Sequence, residues 1–126
     1  MRHYYQRALA LGWAVSNEAS VQAAVRLEAA RRGILLWRNN SGAFQDKTGR
    51  WVRFGIANDS QQASKVIKSS DLIGIGPGGL FHAYEIKEPG WHLTPGDERA
   101  QAQKRFIDLI LARGGRAGFI TSVEEL

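Results

Sequence analysis

Two carboxylates and a lysine lie close together in the central part of the chain. Asp71 opens one apolar run, and Glu85 and Lys87 close the next, with the glycine-rich turn 76–79 between them. Two apolar runs around such a turn predict a β-hairpin. Glu85 and Lys87 are two residues apart, so they share one face of their strand. Because Asp71 and Glu85 lie equally far from Gly78, the hairpin is predicted to place them opposite each other.

Like charges that face each other across a hairpin destabilise it, so this pair predicts a bound cation. Mg²⁺ prefers one or two carboxylates, completed by waters and phosphate oxygens. Asp71, Glu85 and the backbone carbonyl of Ile86 form a ligand set of this kind. Such an ion activates water and shields charge on a phosphate, and Lys87 could orient the attacking water or stabilise transition-state charge. The alternative interpretation is an ion pair between Glu85 and Lys87 on the face of an edge strand.

The charge distribution favours a polyanionic partner. The 126 residues have a net charge of +5, and residues 26–68 carry nine Lys and Arg against three acidic residues. Residues 69–126 carry six against eight. A nucleic acid lying across the basic segment would present its phosphates to the carboxylates that follow. A solvated basic surface is the alternative. The candidate DNA-binding residues are Arg38, Asn39, Arg53, Lys65 and Lys68.

Composition narrows the class of protein. The length suits one domain spanning residues 1–126, with enough residues for a core. There is no cysteine, and the three histidines lack metal-ligand spacing, so neither disulfides nor a thiolate or histidine zinc site are expected. No apolar run approaches 18 residues and no signal-peptide pattern is present, so no membrane association is expected.

The elements that position these residues can be predicted from periodicity and turn signals. A helix is expected from a cap at Ser16 or Asn17 to Gly33, and a second from Thr94 or Asp97 to about Arg113. The polar segment 57–70 is predicted to be a mobile loop. The expected order is α-β-β-β-β-α-β, with strands at 34–38, 51–55, 71–75, 80–87 and 117–120.

The motifs in this order resemble the PD-(D/E)xK nuclease superfamily and, within it, the stand-alone VRR-NUC nucleases of bacteriophages and bacteria. The resemblance covers roughly residues 16–122. One departure is that Ser70 stands where the superfamily motif has a proline before Asp71. The matching segments are Glu18–Gln22, Trp37–Gly42, Ser70–Gly74, Glu85–Lys87, Gln103 and the Gly-Gly pair before the last strand.

The resemblance implies an α/β (α+β mixed sheet), restriction-endonuclease-like core and a metal-dependent, structure-selective DNA endonuclease that hydrolyses phosphodiester bonds. Its cofactor would be Mg²⁺, for which Mn²⁺ is expected to substitute, and its location the cytoplasm of a bacterial or phage-infected cell. Glu18 would position a water or a second ion, and Gln103 would hydrogen-bond to Lys87 or to the attacking water. Related small nucleases are homodimers that cut four-way DNA junctions, as Holliday-junction resolvases do.

Two other functions stay open at this point. The chain could be a non-catalytic nucleic-acid-binding module, or a nicking or flap nuclease subunit that acts with a larger partner. Intact Asp71, Glu85 and Lys87 favour an enzyme, because carboxylates that face phosphate weaken simple binding. The N-terminal arm, residues 1–15, is rich in aromatic and apolar side chains and is expected either to form a dimer contact or to fold back on its own domain. These side chains are Tyr4, Tyr5, Leu9, Leu11 and Trp13.

Overall fold

The computed structural model describes residues 17–126, which form a mixed four-stranded sheet, a separate two-stranded ribbon and three helices. The mixed α+β class predicted from the sequence is therefore confirmed, whereas the N-terminal arm lies outside the described residues. The elements are α1 (Glu18–Arg31), β1 (Leu35–Arg38), β2 (Gly42–Gln45), β3 (Trp51–Phe54), α2 (Gln61–Val66), β4 (Leu72–Ile75), β5 (Phe81–Ile86), α3 (Glu98–Ala112) and β6 (Arg116–Ile120), with short 3₁₀ turns at Pro77–Gly79 and Val123–Glu125.

The sheet has the strand order β1-β4-β5-β6. The first three strands are antiparallel, and β6 runs parallel to β5. A parallel neighbour requires a crossover connection, and α3 provides it. Since β5 has a partner on each side, the interpretation of Glu85 and Lys87 as an edge-strand pair is wrong.

The central hairpin has the predicted register. Leu72 pairs with Tyr84 and Ile75 with Phe81, as expected for a turn centred on Gly78. The turn requires glycine, since Gly78 and Gly79 have φ angles of 77° and 78°. The strand begins at Leu72, one residue later than predicted, so Asp71 lies just before β4.

The two long helices pack on opposite faces of the sheet. Val21, Val25 and Ala29 on α1 join a core cluster with Tyr84 and Ile86 of β5. The alternate residues of β5 are also buried, and they face α3, which contacts β5 and β6. The buried residues of α3 are Ala100, Ala102, Gln103, Phe106 and Ile107.

Two parts of the predicted order are wrong. The strand predicted at 51–55 does not join the main sheet; as β3 it pairs with β2, a strand that was not predicted. The segment 57–70, predicted to be a mobile loop, contains α2. Ser60 caps α2, since its Oγ accepts a hydrogen bond from the Ala63 amide at 3.0 Å.

The segment around α2 is also attached to α3. The Lys68 amide donates to the Ala102 carbonyl at 3.1 Å, and Arg105 Nη1 donates to the Val66 carbonyl at 2.9 Å. These tertiary hydrogen bonds order a short polar helix that has no apolar stripe of its own. Within residues 17–126, no helix is both long and apolar enough to cross a membrane.

Candidate active site

The five residues predicted to be catalytic line one cavity at the end of the sheet. Asp71 reaches it from the start of β4, and Glu85 and Lys87 from the end of β5. The first residue of α1 and the second turn of α3 supply Glu18 and Gln103. We call this space, of about 470 Å³, the carboxylate cavity; its lining is Glu18, Ala19, Gln22, Arg38, Asp71, Glu85, Ile86, Lys87, Arg99 and Gln103.

The carboxylates of Asp71 and Glu85 are neighbours. The Ile86 amide donates to Asp71 Oδ2 at 3.0 Å, which fixes the Asp71 side chain beside β5. Glu85 is only 5% exposed. Burial and then the adjacent Asp71 raise the pKa of Glu85 to about 9, against the opposing effects of Lys87 and Arg99. Glu85 therefore keeps its proton at neutral pH unless a cation binds beside it.

The donors in this cavity fit a hydrated Mg²⁺ ion. Within the described part of the chain, no three acidic or histidine side chains form a ready-made metal site. Two carboxylates and a backbone carbonyl, completed by waters and phosphate oxygens, are nevertheless a set that Mg²⁺ accepts. Gln103 is 3% exposed, and its Oε1 has no hydrogen-bond partner among residues 17–126. A buried acceptor of this kind requires a donor, which a water molecule would provide.

Lys87 is held by an aromatic residue rather than by an acid. Its ammonium lies 5.0 Å from the ring centroid of Trp91, and Trp91 packs on Phe119 with 4.7 Å between centroids. No ion pair joins Lys87 to a carboxylate within residues 17–126. The cation–π contact places the ammonium at the cavity. Trp91 was not predicted as a site residue; its position four residues after Lys87, in the loop that ends β5, was the available signal.

Glu18 and Arg38 lie at the rim of the carboxylate cavity, and both are exposed. Glu18 is the first residue of α1. Asn17 caps that helix, since its Oδ1 accepts from the Ser20 amide at 2.9 Å. Glu18, as the next residue, projects from the first turn.

Arg99 is a further site residue that the sequence analysis missed. It lies in the first turn of α3, one helical turn before Gln103 on the same face. Its guanidinium acts on the pKa values of both Glu85 and Lys68. The spacing from Gln103 was the only sequence signal for it.

A second cavity, of about 360 Å³, adjoins the first and shares Asp71, Glu85, Arg99 and Gln103 with it. We call it the cationic cavity, because Arg53, Lys68 and Arg99 all line it. Three of the five predicted DNA contacts are found here, namely Asn39, Arg53 and Lys68. Arg38 lines the carboxylate cavity, and Lys65 is exposed on α2 and lines neither.

Several side chains of the cationic cavity are fixed by hydrogen bonds. Arg53 Nη2 donates to Asn58 Oδ1 at 2.6 Å and to Ser64 Oγ at 3.1 Å. Asn39 Nδ2 donates to Ser69 Oγ at 2.8 Å and to the Ser70 carbonyl at 2.9 Å. Burial first, and then Arg99 and Arg53, lower the pKa of Lys68.

Comparison of the chain with protein-family models, curated proteins and solved structures gives no match.

Proposed function

We propose that the protein is a metal-dependent, structure-selective DNA endonuclease that hydrolyses phosphodiester bonds on a PD-(D/E)xK core. The observation that supports this most is the meeting of Asp71, Glu85, Lys87 and Gln103 in one cavity. They come from two strands and a helix, and Glu18 joins them from another helix. A mixed sheet with a helix on each face is compatible with such a core.

Hydrolysis of a phosphodiester requires an oriented water and stabilisation of the charge that develops on the phosphate. A bound Mg²⁺ supplies Lewis-acid chemistry for both purposes. Asp71 and Glu85 would hold the ion, with the Ile86 carbonyl as a third ligand. Asp71 is already oriented by the Ile86 amide at 3.0 Å. Glu85 has to release its proton on binding, so ion binding is expected to be tighter at higher pH.

Lys87 and Gln103 would orient the attacking water. The ammonium of Lys87 can donate to the water or to a nonbridging phosphate oxygen, while Trp91 limits its movement. Gln103 Oε1, the unpaired buried acceptor, can accept from the water or from Lys87. Glu18 at the rim would position a further water or a second ion.

The burial of Glu85 favours an enzyme over a non-catalytic binding module. A carboxyl that is 5% exposed and next to a second carboxylate costs folding free energy. A protein that only binds phosphate gains nothing from this arrangement. A site that loads a cation gains from it, because the ion stabilises the ionised form of Glu85 beside Asp71.

The proposal also includes a preference for branched DNA and a homodimeric assembly. Both are implied by the resemblance to the stand-alone VRR-NUC nucleases. Residues 17–126 of one chain carry one carboxylate cavity, whereas resolving a four-way junction requires two cuts. A two-fold symmetric dimer would present two such cavities to opposed strands. Residues 1–15 are the proposed contact, and light scattering of the full chain and of a chain lacking them tests it. A monomeric protein that cuts flaps but not junctions would contradict the proposed resolvase-like activity and support the alternative of a flap nuclease.

The decisive experiment is cleavage of end-labelled duplex, flap and four-way-junction DNA with Mg²⁺, with Mn²⁺ and with EDTA. Cutting with either ion and none in EDTA is expected. Asp108→Asn is a matched control, because Asp108 is an exposed carboxylate paired with Lys104 on α3 and lies outside both cavities. Full activity in excess EDTA would overturn the mechanism, and tight binding without cleavage under every condition would support the binding module.

A further inference from the structure

Three positive side chains meet in the cationic cavity without acidic partners of their own. Arg53 comes from β3, Lys68 from the segment after α2 and Arg99 from α3. None of them takes part in the ion pairs found among residues 17–126. The acids that line this cavity are Asp71 and Glu85, so three basic side chains face two acidic ones. The cavity is therefore positively charged, and like charges this close favour the binding of an anion.

One wall of the cavity is held in shape by part-buried hydrogen bonds. Asn58 is 8% exposed and joins the ribbon to this site. Its Nδ2 donates at 2.9 Å to the carbonyls of Gly42 and Phe54. Its own oxygens accept from Arg53, at 2.6 Å from Nη2 and 3.2 Å from Nε. These bonds engage Nε and Nη2 of Arg53, and within residues 17–126 no hydrogen bond engages Nη1, which leaves that nitrogen for a ligand.

The backbone beside the cavity is strained. Ala57, which lines it, has a φ angle of 58° and is the one non-glycine residue with positive φ in the described range. Gly55 has a φ angle of 99°, and a Cβ there would lie 2.4 Å from Cβ of Ser41, another lining residue. Strained backbone of this kind is found preferentially at ligand sites.

We propose that the cationic cavity binds one phosphate group of a polynucleotide, separate from the phosphate that is cut in the carboxylate cavity. A phosphate offers several oxygen acceptors, which matches the guanidinium and ammonium donors of Arg53, Arg99 and Lys68. Because the two cavities share Asp71, Glu85, Arg99 and Gln103, the two phosphates would belong to neighbouring positions in the nucleic acid. In this respect the inference rests on the proposed nuclease function.

A phosphate bound in the cationic cavity would affect which phosphodiester bond is cut. The carboxylate cavity is lined by three acidic and three basic side chains, whereas the cationic cavity is lined by two acidic and three basic ones and so attracts phosphate more strongly. A phosphate anchored by Lys68 and Arg99 would fix which neighbouring diester reaches Asp71 and Glu85. Lys68 and Arg99 would then act as positioning residues that determine where the strand is cut, and they would bind phosphate whether or not a metal is present.

The first test is binding of inorganic phosphate to the metal-free full chain, measured by calorimetry in EDTA at low ionic strength. One saturable site is expected. Lys68→Gln and Arg99→Gln should each weaken it by about tenfold or more, the loss typical of a charge-assisted hydrogen bond. Lys47→Gln is the matched control, since Lys47 is an exposed lysine of the ribbon that lines neither cavity. Circular dichroism checks that each variant is folded.

The outcomes separate this inference from the proposed nuclease. Phosphate binding that depends on Lys68 and Arg99, in a protein that cuts no DNA, would support the anion site and refute the nuclease. Absence of phosphate binding, with Lys68→Gln and Arg99→Gln cutting DNA at the wild-type rate and position, would overturn the anion site and leave the nuclease. An equal loss of phosphate affinity in Lys47→Gln would also overturn it, as a general charge effect.

A second experiment identifies whether the cationic cavity binds a terminal or an internal phosphate of DNA. Short DNA strands with and without terminal phosphates are compared for affinity, using wild type and Lys68→Gln in EDTA. A gain from a terminal phosphate that disappears in Lys68→Gln assigns the site to chain ends. If strands with and without terminal phosphates bind wild type equally well, and both bind Lys68→Gln more weakly, the cavity binds an internal phosphodiester. Affinities that Lys68→Gln leaves unchanged would overturn the proposal.

Discussion

The two faces of β5 differ in what they contribute. On one face Tyr84 and Ile86 pack with α1 in an apolar core, and the polar pair there, Tyr84 OH and His82 Nδ1, is 2.7 Å apart. On the other face Glu85 is buried beside Asp71 and under α3, and it shares both cavities with Gln103. The first face stabilises the fold, whereas the second costs stability and places groups for chemistry. Because side chains alternate along a strand, adjacent residues of β5 can be changed to test each face separately.

The largest expected effect is loss of cleavage on the carboxylate face. Asp71→Asn and Glu85→Gln should each reduce the rate by at least about 10²–10³-fold, as is usual when a transition-state stabiliser is lost. Junction binding should persist in both variants, and it should become tighter in Asp71→Asn, since a negative charge facing phosphate is removed. Cleavage assays on pre-bound DNA and gel-shift titrations measure the two properties.

Lys87→Ala should also abolish cutting, whereas Glu18→Ala should reduce it less because Glu18 lies at the exposed rim. Near wild-type cleavage by Lys87→Ala would show that its assigned role is wrong. Asp108→Asn should cut normally, and loss of DNA binding in every variant would indicate a folding defect instead.

Substitutions on the core face, where β4 and β5 pack with α1, should lower the free energy of unfolding. Leu72→Ala and Ile86→Ala remove side chains that are 0% and 2% exposed, and each should lower the free energy of unfolding by about 2–5 kcal/mol. Urea denaturation measures the change. Ile75→Ala is the control, because Ile75 lies on β4 with Leu72 but is 47% exposed. If Ile75→Ala is as destabilising as Leu72→Ala, the assignment of the core face is incorrect.

A smaller effect is expected on the free energy of unfolding, which should depend on pH through Glu85. The pKa of Glu85 is about 9 in the folded protein against an ordinary value of 4.5. Between these values the folded protein holds a proton that the unfolded chain has lost, so stability falls as pH rises. The slope is at most about 1.4 kcal/mol per pH unit for one such group. Metal-free Glu85→Gln should therefore exceed wild type in stability at pH 8 and approach it at pH 4.

Comparing wild type with Glu85→Gln at each pH removes the contributions of other groups, such as His82, whose pKa is lowered by burial and Arg116. Mg²⁺ should raise the unfolding midpoint of wild type at pH 8, since an ion that binds only the folded state stabilises it. It should have much less effect on Glu85→Gln. Parallel pH profiles of the two proteins would contradict the raised pKa.

The sequence was sufficient for the hairpin because its determinants are local. The glycines at 78 and 79 define the turn, and alternation along the strands then places Asp71 beside Glu85. The helix caps at Asn17 and Asp97 are equally local signals. Most of the carboxylate cavity follows from these elements together with the order of the motifs.

The parts that could not be predicted depend on tertiary contacts. The ribbon is tied to the site by Asn58, which reaches across to Gly42 at 2.9 Å. α2 has six residues, few of them apolar, and its segment is ordered by bonds to α3. Arg99 and Trp91 acquire roles only because the fold brings them to Glu85 and Lys87. Leu109 lies at helical spacing from the buried Ala102 and Phe106 but is 39% exposed, because the buried face of α3 extends towards Gln103 and Ile107 and away from Leu109.

The smallest expected effect is the change in cleavage rate when Trp91 is replaced. Trp91 contacts both a strand of the sheet and a residue of the candidate site. Its ring packs on Phe119 of β6 and carries the Lys87 ammonium at 5.0 Å. A cation–π contact contributes about 0.5–2 kcal/mol, so Trp91→Leu should slow cleavage by about 2- to 30-fold, by that energy. Trp91→Phe should retain most of the rate, since it keeps an aromatic face. Trp37→Leu is the control for loss of a tryptophan, because Trp37 is 52% exposed and lines neither cavity. Single-turnover rates at saturating protein separate this positioning effect from binding. Equal rates for Trp91→Leu and wild type would mean that Lys87 reaches the phosphate without help from the ring.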